Sequence, residues 1–175
     1  MGKYLINELV QVEEAGATRS HGKGERREDY ADAWRDTGNV VLVGLPGSGK
    51  AALAEALAER TGAPVATPGD AAAAAAALAG RGTIVVLADG LVEDPAVRPL
   101  IHGAGKVFYL MADSSILSAR AAEREGAADR EDLWREFSAR LAVMEPVFYE
   151  VLHFIVQAGG TPDAMVGDAL EKIAY

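Results

Sequence analysis

Short apolar runs and helix-like segments alternate along the chain from residue 39 to the C-terminus. Five of the apolar runs predict β-strands, at 40–43, 63–67, 83–88, 106–111 and 153–156. The run at 83–88 is the most continuous, which is typical of a parallel strand covered on both faces. A regular exchange of strand and helix predicts a three-layer α/β/α domain, built on a five-stranded parallel sheet.

Six helices are predicted around these strands, at 50–60, 70–79, 94–101, 114–124, from 130 to 143 or beyond, and 161–173. Asp70 is the expected N-cap of the second helix. The seven consecutive alanines at 71–77 favour that helix and leave it few side chains for recognition. In the helix that begins at residue 130, Trp134 and Phe137 stand three positions apart and are predicted to lie in the core.

Residues 1–38 differ in composition from the rest of the chain. The stretch 13–32 is rich in charged residues and glycine, which predicts a partly flexible N-terminal arm or linker before a domain at 39–175. Tyr30 and Trp34 are expected to anchor a short helix on the core. A further interpretation is that the arm packs on a partner subunit and supports a homodimer.

The strongest functional signal is the loop that follows the first predicted strand. Residues 44–51 read Gly-Leu-Pro-Gly-Ser-Gly-Lys-Ala, which matches the phosphate-binding pattern G-x-x-x-x-G-K-[ST] up to its last position. Glycines let backbone N–H groups turn toward phosphate oxygens, and the start of the next helix adds partial positive charge. Lys50 is expected to reach the β- and γ-phosphates of bound ATP. The predicted nucleotide contacts are Gly44, Pro46, Gly47, Ser48, Gly49, Lys50 and Ala51.

The last position of the motif departs from the pattern. Serine or threonine there normally gives Mg²⁺ a hydroxyl ligand, and Ala51 has none, so Mg²⁺ binding is expected to be weakened. Asp89, at the end of the run 83–88, follows the Walker B pattern and is the candidate to hold Mg²⁺ through water. As part of an Asp-Gly turn, Asp89 also has a purely structural interpretation. Lys50 and Asp89 are the catalytic candidates.

Composition and charge limit the classes of partner. The formal net charge of −9 argues against general nucleic-acid binding, so an anionic ligand must meet a local cation such as Lys50. No apolar run approaches the length of a membrane span, the chain has no cysteine, and residues 1–10 lack a secretory signal pattern. These features favour a cytoplasmic protein that binds neither membrane nor nucleic acid.

Three segments resemble the shikimate kinase family of P-loop proteins, within the nucleoside-monophosphate-kinase-like group. They are the loop at 44–50, the sequence Val-Phe-Tyr-Leu-Met-Ala-Asp at 107–113 with the helix after it, and Glu-Pro-Val-Phe-Tyr-Glu-Val at 145–151. The last is similar to the family's Arg-x-Pro-Leu-Tyr-x-x-x-Ala segment. The resemblance covers about residues 39–175. It implies an ATP-dependent phosphotransferase that acts on a small molecule.

The acceptor side departs from that family. Of the family's Asp-x-Asp after the second strand only Asp70 remains, displaced by one position, and Ala88-Asp89-Gly90 replaces its Gly-Gly-Gly turn. Met144 stands at the position of the family's substrate arginine, although an anionic carboxylate needs paired guanidinium groups. These departures from the family pattern imply an acceptor other than shikimate. The resemblance leaves Asp70 and Gly90 as the substrate-binding candidates.

Further arginines take their expected roles from the same resemblance. Arg124 lies where family members place an arginine near the adenine, and Arg120 stands one helical turn earlier. Arg130 is the candidate for the lid arginine, and as a residue at a helix start it is also expected on the surface. Two functions stay open: a small-molecule kinase with an unfamiliar acceptor, and a non-catalytic nucleotide-binding or interaction protein that retains the kinase fold. Ala51 and the missing arginines favour the second.

Overall fold

The computed structural model describes residues 34–126 and 129–175, and these residues form an α/β domain. Its five-stranded sheet has the order β2-β3-β1-β4-β5, and every neighbouring pair is parallel. The strands are β1 Val40–Val43, β2 Val65–Ala66, β3 Ile84–Val86, β4 Lys106–Met111 and β5 Phe154–Gln157. The predicted fold class, a three-layer α/β/α domain with a five-stranded parallel sheet, is confirmed.

The described residues contain seven α-helices. They are α1 Lys50–Thr61, α2 Ala71–Ala79, α3 Asp89–Val92, α4 Arg98–Ile101, α5 Ser114–Glu125, α6 Arg130–Val151 and α7 Pro162–Ile173. The N-cap predicted for Asp70 is confirmed, because its Oδ1 accepts a hydrogen bond of 2.8 Å from the backbone N–H of Ala73. The helix predicted from residue 130 runs on to Val151 and contains Pro146.

The helix predicted at 94–101 is too long, because only its second half is helical, as α4, and a turn separates α4 from the short helix α3. Asp94 Oδ1 accepts a hydrogen bond of 2.8 Å from the N–H of Ala96. Such local side-chain bonds compete with helix formation. Pro99 lies in the first turn of α4, where its missing N–H is not needed. Asp89 is the first residue of α3 and does not lie in the loop that the sequence predicts.

The strands predicted at 63–67 and 83–88 are too long. β2 has two residues and β3 has three. β2 lies at the edge of the sheet and pairs only with β3, and Val65 is 41% exposed. An edge strand has one neighbour to hold it, so its regular pairing ends early.

The core lies between the sheet and the helices, and α6 contributes Met144 and Phe148, both fully buried. The core position predicted for Trp134 is wrong, since Trp134 is 47% exposed. Its neighbour Leu133 is buried and Phe137 packs partly buried against the core. Successive helical residues differ by about 100° in direction, so Trp134 points away from the face that Leu133 and Phe137 share.

Trp34 packs against the core as predicted, with its ring centroid 5.3 Å from that of Phe154. No helix includes Trp34 in the described residues. Tyr30 and the proposed dimer contact of the arm lie outside the described residues, and the domain start at residue 39 stays a prediction. Within 34–126 and 129–175, none of the helices has the length and apolar character to cross a membrane.

The sheet order positions the functional loop. β1 lies between β3 and β4, with Leu42 opposite Val86 on one side and Phe108 on the other. The loop of residues 44–49 leaves the carboxyl end of β1 and leads into α1. Because the carboxyl ends of parallel strands share one edge, the residues that follow β3, including Asp89, lie at the same edge as the loop.

Candidate functional site

The loop between β1 and α1 is built on glycine conformations. Gly44, Gly47 and Gly49 have φ angles of 156°, 85° and 94°, which other residues rarely adopt. A Cβ on Gly44 would also lie 2.8 Å from the hydroxyl oxygen of Ser48. The N–H of Ser48 donates to the carbonyl of Leu45 at 3.2 Å and closes a turn. The glycines thus fold the chain tightly at the start of α1, where the first N–H groups have no helical partners.

Lys50 folds back over this loop and donates a hydrogen bond to the carbonyl of Gly44. Burial lowers the pKa of Lys50 to about 8, and the nearby carboxylate of Asp89 offsets part of that effect. At pH 7 the ammonium is therefore charged, in a place where water solvates it poorly. The charge is available to an anionic ligand.

Ser48 adds an unused polar group to the loop. The residue is 1% exposed, and its hydroxyl has no hydrogen-bond partner within the described part of the chain. An unpaired buried hydroxyl costs about 1–3 kcal/mol. A ligand oxygen at the loop would relieve that cost. The glycine conformations, Lys50 and the Ser48 hydroxyl therefore fit a phosphate group.

Asp89 belongs to an ion-pair network with Arg140 and Glu93. Arg140, in the middle of α6, donates from Nε to Asp89 Oδ2 at 2.8 Å. It also donates from Nη2 and Nη1 to the two carboxylate oxygens of Glu93, at 2.9 and 3.3 Å. The hydrogen bonds to Glu93 and then to Asp89 raise the pKa of Arg140, against the opposite effect of burial. One arginine therefore binds the carboxylates at the two ends of α3, Asp89 at its start and Glu93 just after it.

These residues do not fit an ordinary magnesium site. Ala51 has no side-chain oxygen, and one carboxylate oxygen of Asp89 is already bonded to Arg140. Over the described ranges, no group of three histidine, aspartate or glutamate side chains is arranged to hold a metal ion. At phosphate sites Mg²⁺ takes most of its roughly six oxygen ligands from water and phosphate and only one or two from the protein, so the loss of these protein oxygens weakens its hold. Arg140 therefore competes with Mg²⁺ for the carboxylate of Asp89, the residue that the sequence predicts to hold the metal.

A largely apolar cleft, here called the α1–α7 cleft, lies beside the loop and has a volume of 360 Å³. Arg120 borders it and donates to the carbonyls of Gly47 at 2.9 Å and Ala158 at 2.6 Å. These bonds tie the loop to the segment that follows β5. The walls of the cleft include Ala52, Ala56, Pro162 and Val166.

A second cleft, here called the α5–α6 cleft, begins at the exposed Pro46 of the loop and has a volume of 720 Å³. Asp89 lies in its wall, so this cleft reaches the ion-pair network. The other walls combine charged and apolar side chains, among them Arg124, Glu136, Arg140, Leu133, Phe137 and Val143. The two clefts share the loop as a common border.

The family resemblance predicts that Arg124 lies near the adenine, with Arg120 one helical turn earlier. In the structure Arg120 borders the α1–α7 cleft, whereas Arg124 lines the α5–α6 cleft. Arg140 is not among the site residues predicted from the sequence. It lies one helical turn before Met144, the position of the family's substrate arginine. An arginine displaced by one turn from that position is the signal that could have identified it.

The remaining candidates lie outside both clefts as the described residues define them. The carboxylate of Asp70 caps α2, Gly90 is an exposed residue of α3 beside Asp89, and Arg130 is the exposed first residue of α6. The substrate roles of Asp70 and Gly90 and the lid role of Arg130 stay predictions.

Solved structures of small-molecule kinases share this architecture. A shikimate kinase from Bacteroides thetaiotaomicron aligns with a TM-score of 0.69 at 15% identity, over 78% of this chain and 98% of that one. A shikimate kinase from Acinetobacter baumannii, in complex with shikimate, gives 0.65 at 16% identity, over 77% and 90%. This chain has the shikimate-kinase-like P-loop kinase fold.

The P-loop kinase fold extends to kinases of other acceptors. A gluconokinase from Sinorhizobium meliloti aligns with a TM-score of 0.56 at 22% identity, over 80% of this chain and 93% of that one. At such identities the likeness establishes the fold and leaves the substrate open. The amino-acid sequence matches no family model and no curated protein.

Proposed function

We propose that this protein binds ATP or ADP, with the phosphates in the loop at 44–50 and the base in the α1–α7 cleft. The observation that carries the proposal is that two groups suited to phosphate lie in one loop at the start of α1. They are the poorly solvated Lys50 ammonium and the buried Ser48 hydroxyl, which has no hydrogen-bond partner in the described part of the chain. A protein of net charge −9 repels anions at long range, so it needs such a local cation to hold phosphate.

The α1–α7 cleft suits a flat aromatic base. Ala52, Ala56 and Val166 give it apolar walls, and the guanidinium of Arg120 lies at its border. Guanidinium groups stack favourably on aromatic rings. The volume of 360 Å³ is near the lower end of ligand pockets, roughly 300–1,000 Å³. The cleft adjoins Gly47, so a base bound there is directly connected to phosphates in the loop.

Calorimetric titration with ADP and with pyrophosphate tests the two halves of this proposal separately. The unaltered protein is expected to bind ADP at least tenfold more tightly than pyrophosphate, because only ADP fills the α1–α7 cleft. Ala56→Phe fills that cleft and should remove the difference. Ala139→Phe, the same change in the α5–α6 cleft, is the matched control and should preserve it. Equal affinities for the two ligands in the unaltered protein would refute the base site, and binding of neither would refute the whole proposal.

A second candidate function is phosphoryl transfer to a small molecule in the α5–α6 cleft, with an acceptor other than shikimate. The observation that favours it is that Asp89 lines this cleft and also acts on Lys50. The carboxylate would take the proton of an acceptor hydroxyl whose oxygen bonds to the γ-phosphorus, while the bond to ADP breaks and Lys50 balances charge on the phosphoryl oxygens. Arg140 is already bonded to Asp89 and Glu93, so it is not available to pair with an acceptor carboxylate.

Incubation with ATP and a panel of neutral hydroxyl compounds tests this second candidate. An acceptor should increase ADP formation, and Ala139→Phe should abolish the increase without changing the affinity for ADP. If ADP formation does not depend on any acceptor, or is unaffected by Ala139→Phe, transfer in the α5–α6 cleft is excluded.

A further inference from the structure

P-loop proteins with the full motif bind their divalent cation through the hydroxyl after the loop lysine and an aspartate on a neighbouring strand. Both groups are changed in this chain. Ala51 removes the hydroxyl. Asp89 keeps the carboxylate, but its Oδ2 accepts a hydrogen bond from Arg140 Nε at 2.8 Å. Of the two protein groups that would bind the metal, one is therefore absent and the other is already paired with an arginine.

Arg140 is held in this position by three bonds in total. Two of them go to Glu93, at 2.9 and 3.3 Å, and fix the plane of the guanidinium. The side chains of Arg140 and Asp89 are only 32% and 18% exposed. A metal that bound Asp89 through Oδ2 would have to displace a partly buried guanidinium from one of its two carboxylates. Breaking such a pair leaves a charge with less compensation.

The charges around the loop are already balanced without a metal. Lys50, Asp89, Arg140 and Glu93 alternate in sign, and Asp89 stands between two cations. A divalent cation at Asp89 would add two positive charges between Lys50 and Arg140, where burial reduces screening by water. In the absence of nucleotide, the electrostatics therefore disfavour a metal at this place.

We propose that Arg140 takes the place of the divalent cation at Asp89, so that the loop binds a nucleoside polyphosphate without metal. This rests on the nucleotide binding proposed above, and it specifies the ligand as the metal-free nucleotide and Arg140 as the positioning residue for Asp89. P-loop kinases use the metal to neutralise charge during phosphoryl transfer. Metal-free binding thus favours a nucleotide-binding protein without turnover over an active kinase.

Calorimetric titration with ADP, in excess Mg²⁺ and in a chelator, tests the proposal on the unaltered protein. The two affinities are expected to differ by less than threefold. A gain of threefold or more from Mg²⁺ would overturn the role of Arg140 and leave nucleotide binding intact. Binding in neither condition would refute the nucleotide site itself, and the proposal with it.

Three variants then test Arg140 directly, each first checked for its melting temperature. Ala51→Ser alone should still gain less than threefold from Mg²⁺, because Asp89 stays bonded to Arg140. Ala51→Ser with Arg140→Met supplies both oxygens and should gain tenfold or more. The matched control combines Ala51→Ser with Arg135→Met, an exposed arginine of α6 paired with Glu131, and should behave like Ala51→Ser. A gain of threefold or more in Ala51→Ser alone, or the lack of a tenfold gain in the Arg140→Met double variant, would overturn the assignment.

Discussion

Lys50 is kept as a cation in a position that favours its neutral form. Burial lowers its pKa from 10.5 to about 8, with partial compensation by Asp89. Below pH 8 the lysine is protonated in both the folded and the unfolded protein, so the full energetic penalty applies. Between about pH 8 and 10.5 the unfolded chain binds the extra proton, so the free energy of unfolding rises with pH. Burying the charged Lys50 at the loop therefore lowers the stability of the folded protein.

We therefore predict that Lys50→Met stabilises the ligand-free protein at pH 7. The expected gain is on the order of 1–3 kcal/mol, because the pKa shift corresponds to about 3–4 kcal/mol, at about 1.4 kcal/mol per unit, and the loss of the hydrogen bond to Gly44 offsets part of it. Urea denaturation at pH 7 and pH 10 measures it, and the gain should shrink at pH 10. Lys172→Met is the control, since Lys172 pairs with Asp168 and its loss should bring no such gain. A Lys50→Met protein no more stable than the unaltered one at pH 7 would contradict this account.

The loop residues were accessible to sequence reasoning, whereas Arg140 was not. Gly44, Gly49 and Lys50 form a contiguous motif whose spacing reflects the phosphate it surrounds. The contact between Arg140 and Asp89 joins residues 51 positions apart, on α6 and α3. Only the packing of those two helices brings them together.

At the scale of elements, Asn39 connects three segments at the amino-terminal edge of the sheet. Its Nδ2 donates to the carbonyls of Gly80 at 2.8 Å and Ala104 at 3.1 Å, and its Oδ1 accepts from the N–H of Thr83 at 3.0 Å. The residue is 2% exposed. The amide thus satisfies backbone groups at the ends of α2, β3 and the turn before β4.

Replacing this amide should destabilise the fold without affecting the ligand site. Asn39→Leu is expected to lower the free energy of unfolding by about 2–5 kcal/mol, because the carbonyl of Gly80 and the N–H of Thr83 lose their side-chain partner, whereas Ala104 keeps its bond from Thr37. The affinity for ADP should not change, since the loop lies at the opposite edge of the sheet. Thr83→Val, which removes one hydroxyl bond to Arg81, is the control and should cost less than about 1 kcal/mol. Equal effects of the two changes in urea denaturation would contradict the role of Asn39.

Asp70 gives a second prediction at this scale. Asp70→Ala should lower the free energy of unfolding by about 1 kcal/mol through loss of the α2 cap, and Asp70→Asn should not, because asparagine also caps helices. Neither change should alter the affinity for ADP, which thermal and calorimetric measurements on both variants would show. Loss of acceptor-dependent ADP formation in Asp70→Asn would instead support the predicted substrate role. An Asp70→Ala protein of unchanged stability would exclude the cap as a contributor.

Elements with a strong local pattern were predicted well, and those that depend on neighbours were not. β1, β4, α1 and α5 lie within about two residues of their predicted positions because periodicity and glycine stops are local signals. The helix predicted at 94–101 is too long because the Asp94 turn replaces its first half. The position of Trp134 failed because only packing reveals which face of α6 is buried.

At the level of the whole molecule, the α5–α6 cleft does not present, among the described residues, the paired guanidinium groups that a carboxylate acceptor needs. Met144 is fully buried, Arg140 is bonded to two carboxylates, and Arg124 is one guanidinium in a cleft that also contains Glu136. We predict that shikimate is not phosphorylated at an enzymatic rate. A coupled assay with ATP should show no shikimate-dependent ADP formation. Turnover on the order of 10 s⁻¹, the usual scale for enzymes, would contradict the prediction.

The fold class could be predicted because alternating strands and helices allow few architectures. The two clefts could not, because each is formed by elements distant in sequence. The α1–α7 cleft needs Ala56 and Pro162 together, and the α5–α6 cleft needs Pro46, Asp89 and Val143. The sequence therefore predicted the phosphate loop and left the shape of the rest of the site to the structure.

Whether the loop of residues 44–50 binds a nucleoside polyphosphate can be decided from the change in melting temperature on adding ADP. ADP at about 100 times its dissociation constant adds about 2.7 kcal/mol to the free energy of unfolding. In a chain of this size that corresponds to a rise of several degrees, at roughly 2–4 °C per kcal/mol. We predict this rise in the unaltered protein and none in Lys50→Met. No rise at millimolar ADP, or the same rise in both proteins, would contradict it.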